Sequence, residues 1–282
     1  MSYILFTVDV EDWFQVENLR CRFPHDSWDS CEFRVERNTT VLLDLLERFH
    51  VSATFFVLGW IAERLPRLVK EIQARGHEVA SHGYGHRLCY DISHSELRQD
   101  LYRSRSILEN MTGQPVRGYR APSFSITGEL MDLLKELGYR YDSSYNDFSL
   151  HDRYGRVDRI SRYIQNAGLN EKDGLVELPI SNLKLGGKCI PWGGGGYFRL
   201  WPFWMFRQGV RHILRQQGYY LFYCHPWELD HDQPRVDGMR WDRRFRHYVN
   251  LSETAKRIEN FLNEFRQHEF MTCSEFLDWS TG

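Results

Sequence analysis

The sequence predicts an α/β fold built around a parallel sheet. Short apolar runs alternate with amphipathic helical patterns along its 282 residues, and this order produces parallel strands joined by helices. Several apolar runs end in polar residues with chemically useful side chains, as expected where such strands reach their carboxyl ends. The length and a hydrophobic content of 42% suit one large core of the size found in single α/β barrels.

The predicted strands are short apolar runs, several of them rich in aromatic or β-branched residues. They cover residues 3–8, 53–58, 77–80, 116–119, 139–141, 175–179, 219–223 and 270–272. Helices are predicted between them from apolar residues at helical spacing. These cover residues 41–49, 62–74, 93–111, 130–137 and 251–265, with further helices ending near Gln217 and following Thr272. No linker or internal repeat interrupts the order, so we expect one domain over residues 1–282.

Capping patterns mark the ends of several helices. Ser93 and Glu96 form a capping box, Gly113 follows the same helix, and Thr127 precedes the next one. The polar run 38–40 is expected to cap the first helix. The remaining segments have no clean period and are predicted to be loops; they are residues 13–37, 146–174 and 230–248.

The charge balance excludes one class of partner. The chain has 36 basic and 38 acidic residues, whereas nucleic-acid-binding proteins usually carry a strong basic excess. The sequence as it stands begins without a signal peptide, and no apolar run approaches the roughly 20 residues that cross a bilayer. Six scattered cysteines form no C-x-x-C pair, so we expect reduced thiols in a cytoplasmic protein, with Cys21 and Cys31 able to pair in an oxidising compartment.

Ionisable side chains gather at the predicted strand ends. They are Asp9, Glu11 and Asp12 after the first strand, His82 and His86 after the third, and Arg120, Asp142 and His225 after later ones. Neutral imidazole is the commonest protein metal ligand, and the glycines within residues 82–86 allow both rings to reach one ion. One carboxylate and two histidines leave a position for water, which distinguishes a catalytic from a structural zinc site. The pattern therefore predicts a catalytic metal site.

A run of four glycines precedes an aromatic cluster within residues 192–206. The run lacks the Gly-Lys-Ser/Thr ending of a phosphate-binding loop, so nucleotide binding is not expected. Three interpretations remain open: a mobile loop whose rings stack on sugars, a loop that touches a membrane surface, and an aromatic core beneath a rim loop.

Five short motifs follow one another along the chain. They are Thr7 to Asp12, His82 to His86, Arg120-Ala121-Pro122, Asp142-Ser143-Ser144 and Leu221 to His225. Together they resemble the motifs of NodB-type polysaccharide deacetylases, carbohydrate esterase family 4, and more closely the branch associated with exopolysaccharide gene clusters. The resemblance covers residues 7–276 and implies a single distorted (β/α) barrel of about seven parallel strands, with the active site at the C-terminal strand ends.

The resemblance implies a role for each motif. Asp9 would be the general base, Arg120 would orient it, and His225 would be the general acid. His82 and His86 would bind a divalent metal, zinc or a similar transition metal. The expected substrate contacts are Asp142, which would form a wall of the groove, and the aromatic residues Trp192, Tyr197 and Trp227.

Two positions depart from the family pattern. The second acid of the family's first motif, a metal ligand, meets Val10, so the carboxylate ligand must be Glu11 or Asp12. Strand alternation favours Glu11, because it lies on the same face as Asp9. Gly83 replaces the usual hydroxyl residue after the first histidine.

The implied activity is the removal of acetyl groups from N-acetylated amino sugars of a bacterial polysaccharide or its lipid-linked precursor. Two alternatives remain open: a metal-dependent deformylase or small cyclic-amide hydrolase, and a glycan-binding protein of the same fold without turnover. The expected location is the cytoplasm, with peripheral contact to the inner face of the membrane through residues 192–206.

Overall fold

The computed structural model describes residues 2–148, 154–157 and 174–281. Its strands are β1 (Tyr3–Val10), β2 (Thr54–Val57), β3 (Glu78–Ser81), β4 (Gly118–Tyr119), β5 (Tyr141–Asp142), β6 (Val176–Glu177), β7 (Asn182–Leu185), β8 (Lys188–Pro191), β9 (Tyr219–Cys224) and β10 (Glu269–Met271). Eight of them form one sheet in which all pairings are parallel, while β7 and β8 form a separate antiparallel hairpin. The predicted parallel α/β fold is confirmed.

Strand β1 is the centre of the sheet. All eight of its residues are buried, which explains why it reads as a continuous apolar run. Its first six residues pair with β9 on one side. On the other side its start pairs with β10 and its end pairs with β2. The sheet continues through β3, β4 and β5 to β6, and among the described residues β6 forms no pairing with β9. The sheet is therefore a curled, open barrel, as the resemblance implies.

Helices surround the sheet. They are α1 (Val35–Arg48), α2 (Gly59–Arg64), α3 (Pro66–Ala74), α4 (His94–Thr112), α5 (Gly128–Glu136), α6 (Gly195–Leu200), α7 (Phe203–Gln217), α8 (Trp241–Tyr248), α9 (Thr254–Glu264) and α10 (Cys273–Thr281). The predicted capping box of Ser93 and Glu96, the left-handed Gly113 and the Thr127 cap are all present. In the described part of the chain, no helix is both long and apolar enough to cross a bilayer.

Two local predictions are wrong. Helix α1 begins at Val35, so residues 38–40 lie inside it, with Asn38 and Thr39 buried against the core. The segment predicted as a loop at 230–248 ends in helix α8. All six cysteines are free thiols. Most of the predicted loop 146–174 lies outside the described residues.

Candidate active site

The acids that follow β1 diverge in direction. The side chains of Asp9 and Glu11 point together into a cleft at the C-terminal ends of the strands and are 2% and 4% exposed. Asp12 turns away: its Oδ1 accepts the backbone N–H of Trp13, and its Oδ2 accepts those of Arg34 and Val35. Burial raises the pKa of Asp12 to about 6, although these three N–H groups oppose the shift.

Asp12 therefore anchors the start of α1 and does not join the histidines. This corrects its place among the candidate metal ligands. Its Oδ2 satisfies N–H groups at the helix start, which the polar run at 38–40 was expected to do. The physical reason is that the three backbone N–H groups occupy both oxygens of its carboxylate.

Glu11, His82 and His86 converge. The Oε1 atom of Glu11 lies 3.1 Å from Nε2 of His82 and 2.9 Å from Nε2 of His86. One candidate ligand atom from each residue lies within 4.8 Å of the other two, and all three side chains are buried. One carboxylate oxygen and two imidazole nitrogens are a donor set that suits zinc or a similar divalent ion.

The hydrogen bonds of His82 show that the cluster needs a positive charge. Its Nδ1 lies 2.7 Å from the carbonyl oxygen of Arg120, and a carbonyl can only accept, so the ring proton sits on Nδ1. In the neutral ring, Nε2 then presents a lone pair to Glu11 Oε1, which is itself an acceptor. Two facing acceptors are stable only beside a cation, either a second ring proton or a metal ion. The residues present therefore fit a divalent ion, and the Arg120 carbonyl would fix the tautomer of its ligand.

The charges of the cluster agree with this geometry. Burial alone would raise the pKa of Glu11, but His86, His225 and His82 hold it well below its usual range. Burial likewise lowers the pKa of His86, and the neighbouring Glu11 carboxylate outweighs that effect and raises it. Glu11 is therefore an ionised carboxylate in a buried position, which is costly unless a cation neutralises it.

One side chain holds the loop that carries the two histidines. Asp100 on α4 accepts the backbone N–H groups of Tyr84 and Gly85. Gly83 has φ of +75°, and a Cβ there would lie 2.8 Å from Asp100 Oδ1. The glycine that departs from the family pattern thus gives the loop room to approach Asp100. Sequence reasoning missed Asp100, because its partners are backbone groups of a distant loop.

Arg120 is fully buried and organises the base of the cleft. Its Nη1 donates to Asp9 Oδ1 at 2.6 Å and to the Thr7 hydroxyl, while Nε and Nη2 donate to the carbonyl and hydroxyl oxygens of Ser143. The guanidinium also lies 4.1 Å from the ring centre of Phe56. Arg120 and Asp9 are thus paired as the resemblance implies, and the second oxygen of Asp9 is left to face the cleft.

His225 completes the cleft from the end of β9. Its Nε2 lies 3.8 Å from Asp9 Oδ2 and 3.9 Å from Glu11 Oε1, and its Nδ1 lies 2.6 Å from Glu228 Oε1. Burial lowers the pKa of His225, but the carboxylates of Glu11, Glu228 and Asp9 outweigh it and raise the pKa to about 9. The ring is therefore held as an imidazolium in this arrangement.

Glu228 and Arg199 form a buried ion pair behind His225. Arg199 Nε donates to Glu228 Oε2 at 2.7 Å, and each side chain is 1% exposed. Sequence reasoning missed both residues. The spacing His225-x-x-Glu228 could have indicated the first, since residues three apart in a helical turn meet, whereas nothing local points to Arg199.

A cavity of about 140 Å³ opens above these groups. Tyr197 and Trp227 line it together with Asp9, Glu11, His86 and His225. The ring of Trp227 stacks on His225, with centroids 5.3 Å apart. These two of the four expected substrate contacts are in place to meet a ligand.

The structure places the other two expected substrate contacts in the core, away from the lining of this cavity. Asp142 is fully buried, accepts the hydroxyl of Ser144 and lies beside Glu177, its register partner on β6. Trp192 is 3% exposed, donates to the carbonyl of Phe206 and stacks on that ring. Asp142 faces the core from β5, whose two residues are both buried, and Trp192 follows directly after β8, where the chain turns into the core.

Of the three interpretations of residues 192–206, the structure favours an aromatic core. Phe198 and Phe206 are buried with Trp192, and Trp201 packs on the same cluster. Trp204 is the aromatic ring of this segment that remains largely exposed, at 63%.

Two regions of the chain are similar to known protein families. Residues 26–141 match the family described as polysaccharide deacetylase, and residues 143–278 match a domain of unknown function, DUF3473. Over 124 residues the chain is 31% identical to a peptidoglycan deacetylase of Helicobacter pylori, covering 42% of each chain. Over 102 residues it is 31% identical to a peptidoglycan-N-acetylglucosamine deacetylase of Bacillus cereus, covering 36% of this chain and 47% of that one. The alignments thus span less than half of these relatives.

Solved structures share the fold. A putative polysaccharide deacetylase from Mycobacterium smegmatis superposes with a TM-score of 0.53 at 21% identity, covering 96% of this chain and 92% of that one. A CE4 family pseudoenzyme from Bacillus anthracis superposes with a TM-score of 0.53 at 15% identity, covering 97% and 64%. Asp9 and Glu11 precede the first matched region and His225 lies in the second, so the cleft draws on the whole chain. The first part of the chain is thus similar to polysaccharide deacetylases, and the second part is similar to DUF3473.

Proposed function

We propose that this protein is a metal-dependent deacetylase that removes acetyl groups from N-acetylated amino sugars of a bacterial polysaccharide or of its lipid-linked precursor. The observation that carries the proposal is the convergence of Glu11, His82 and His86 in one cleft with Asp9 and His225. The relatives named as peptidoglycan deacetylases, and a chitooligosaccharide deacetylase of Azorhizobium caulinodans at 25% identity over 141 residues, support the same class of substrate.

Glu11, His82 and His86 would hold a divalent ion, for which zinc is our first choice. When bound, such an ion polarises the acetamide carbonyl and lowers the pKa of water to about 7. The remaining groups of the cleft then have separate tasks that follow from their contacts.

Asp9 is placed to accept the proton of the attacking water. Arg120 occupies Oδ1, so Oδ2 is the oxygen that faces the cleft and can take a proton. The same ion pair fixes the orientation of the carboxylate, because Arg120 is itself held by Ser143 and Thr7. This positioning lets a single side-chain oxygen act as general base.

His225 is placed to protonate the departing amine. Glu228 holds its Nδ1, so the proton on Nε2 is the one directed into the cleft. The water oxygen bonds to the acetyl carbon and the carbon–nitrogen bond breaks. One proton from water passes to Asp9, and the amine nitrogen gains one from His225. The products are a free amino sugar and acetic acid, which releases its remaining proton to become acetate.

The test uses the full chain loaded with zinc and oligomers of N-acetylglucosamine. Elemental analysis should find bound metal in the wild type and none in His82→Ala or His86→Ala. Acetate release should fall by about 10² or more in Asp9→Asn, which keeps the shape of the side chain but cannot accept the proton. Full activity of Asp9→Asn would refute the assignment of the base.

The same assay separates the alternatives. A protein that binds metal and oligomers but releases no acetate would be a glycan-binding protein without turnover, as the resemblance in fold to a pseudoenzyme makes worth testing. Cleavage of small formamides or cyclic amides, with oligomers untouched, would favour the other class of hydrolase.

The proposed function also includes a compartment and a role for both matched regions. We place the protein in exopolysaccharide synthesis in the cytoplasm, and its six unpaired cysteines suit such a reducing compartment. We also propose that the two matched regions act as one unit, because β1, which precedes both, pairs with β2 of the first region and with β9 of the second.

A further inference from the structure

Helix α8 presents aromatic side chains to solvent. Trp241 and Phe245 lie four residues apart, so they share one face of the helix. They are 83% and 56% exposed, and Trp241 is the most exposed large hydrophobic side chain in the described part of the chain. Two adjacent exposed aromatic rings on one short helix are costly in water, which makes this face a candidate interaction surface.

Arginines surround the two rings. Residues 235–248 contain five arginines and two aspartates, a local charge of about +3 in a chain whose formal net charge is −2. Arg240 and Arg244 are exposed on the solvent side of the helix. Arg240 pairs with Asp242 at 3.0 Å and Arg244 with Asp237 at 3.8 Å, and both pairs are open to solvent. Such exposed pairs are weak enough to exchange for another anion.

The helix is held firmly from behind. The ring of His247 is buried, stacks on Trp227 with centroids 4.6 Å apart and lies 3.0 Å from the side-chain oxygen of Gln233. Arg199 donates to the carbonyl oxygens of Arg246, His247 and Val249 at the end of the helix. The exposed rings thus belong to a face that the fold positions, not to a frayed segment.

The opposite side of α8 borders the active-site cavity. Arg246 and His247 line that cavity, and Arg243 lines the neighbouring one beyond His86. A surface that receives Trp241 and Phe245 would therefore lie beside the entrance to the site.

We propose that α8 docks the protein on an anionic phospholipid surface. Tryptophan and phenylalanine insert at the boundary between headgroups and acyl chains, while arginine stems follow the apolar surface and their guanidinium groups reach the phosphates. The local positive charge on an otherwise slightly acidic protein supplies the electrostatic complement. This surface differs from residues 192–206, whose rings mostly form the core, and it does not depend on the chemistry of the site.

The test is sedimentation of the full chain with phosphatidylcholine vesicles, with and without phosphatidylglycerol. The wild type should bind the anionic vesicles, and the paired change Trp241→Ser with Phe245→Ser should weaken partitioning by at least about ten-fold. Arg244→Ser should weaken it by about five-fold, the worth of one basic residue near such a surface. Raising the salt to about 1 M should release the protein, because that shortens the screening length to about 3 Å.

Trp204→Ser is the matched control, since Trp204 is 63% exposed but lies on α7, and it should bind like the wild type. Circular dichroism checks that each variant is folded. Acetate release from soluble oligomers, which does not require the exposed rings of Trp241 and Phe245, reports separately on the proposed activity. Equal binding of the wild type and the paired variant would overturn the proposal. The proposal would also be overturned if the wild type did not bind vesicles at low salt. Two further results would overturn it: binding of a soluble acidic glycan through α8 in place of vesicles, and a wild-type dimer that dissociates in the paired variant.

Discussion

The buried ion pair of Arg199 with Glu228 offers a sharp test of the structure. Arg199→Met removes one charge and leaves Glu228 in a position that is 1% exposed. Leaving one partner of a buried pair uncompensated costs about 3–5 kcal/mol, and the carbonyl oxygens of Arg246, His247 and Val249 lose their donor as well. We expect the free energy of unfolding to fall by that amount, with a decrease in Tm on the order of 10 °C.

The matched control is another arginine that pairs with a glutamate. Arg207 lies 3.3 Å from Glu264 but is 37% exposed, so Arg207→Met should cost less than about 1 kcal/mol. Urea denaturation of both variants measures the difference. The double change Arg199→Met with Glu228→Gln removes both charges and should recover part of the loss.

Glu228→Gln alone tests the catalytic side of the same pair. The amide keeps an acceptor for the Nδ1 proton of His225 but loses the charge that favours the imidazolium, so kcat should fall about 10- to 100-fold. If Arg199→Met is as stable as Arg207→Met, the buried ion pair does not stabilise the fold as we expect. If Glu228→Gln keeps the wild-type kcat, the charge of Glu228 does not assist His225.

Three further predictions concern metal, pH and a buried acid pair. Chelation should abolish acetate release. It should also lower the free energy of unfolding by about 2.7 kcal/mol when the starting solution holds free metal at about 100 times Kd. The free energy of unfolding of His82→Ala should not change when chelator is added. Burial, assisted by Arg75, lowers the pKa of His77 from 6.5 to about 4, and its Nδ1 accepts the N–H of Ala53. The unfolded chain therefore binds more protons than the folded chain below pH 6.5. Between pH 7 and pH 5, the free energy of unfolding should fall by about 2 kcal/mol more in the wild type than in His77→Asn. Equal pH dependence of the two proteins in urea denaturation would contradict this. Burial and the neighbouring Asp142 raise the pKa of Glu177 well above its usual range. Glu177→Gln should therefore change the free energy of unfolding by less than about 1 kcal/mol. Glu177→Leu removes the acceptor of the Ser144 and Tyr145 N–H groups and should lower it by more than about 2 kcal/mol.

The parts of the fold that depend on local physics could be predicted. The Ser93 capping box, the left-handed Gly113 and the buried apolar run of β1 each follow from a few neighbouring residues. The start of α1 could not, because its cap is the side chain of Asp12, over twenty positions away in the chain. Helix α8 was not predicted, because its inner face carries arginines and a buried histidine in place of the apolar stripe that identifies a helix in a sequence.

The candidate site divides in the same way. Motif order brought His82, His86 and His225 together, and strand alternation favoured Glu11, because these signals reflect the ends of parallel strands. Asp142 and Trp192 were expected to contact substrate but lie in the core. Residue type alone does not distinguish the wall of a cleft from a core position. Asp100, Arg199 and Glu228 escaped because their roles are set by backbone groups or side chains brought close only by the tertiary fold.

The position of β1 has a consequence for how the chain acquires its structure. Its neighbours β9 and β10 are more than 200 positions later in sequence, so the contacts of this central strand are among the most distant in the chain. Until residues 219–224 leave the ribosome, one edge of this buried strand has no native partner, and such an edge is a template for aggregation. High contact order of this kind slows folding, so we expect synthesis of this protein to be sensitive to chaperone supply.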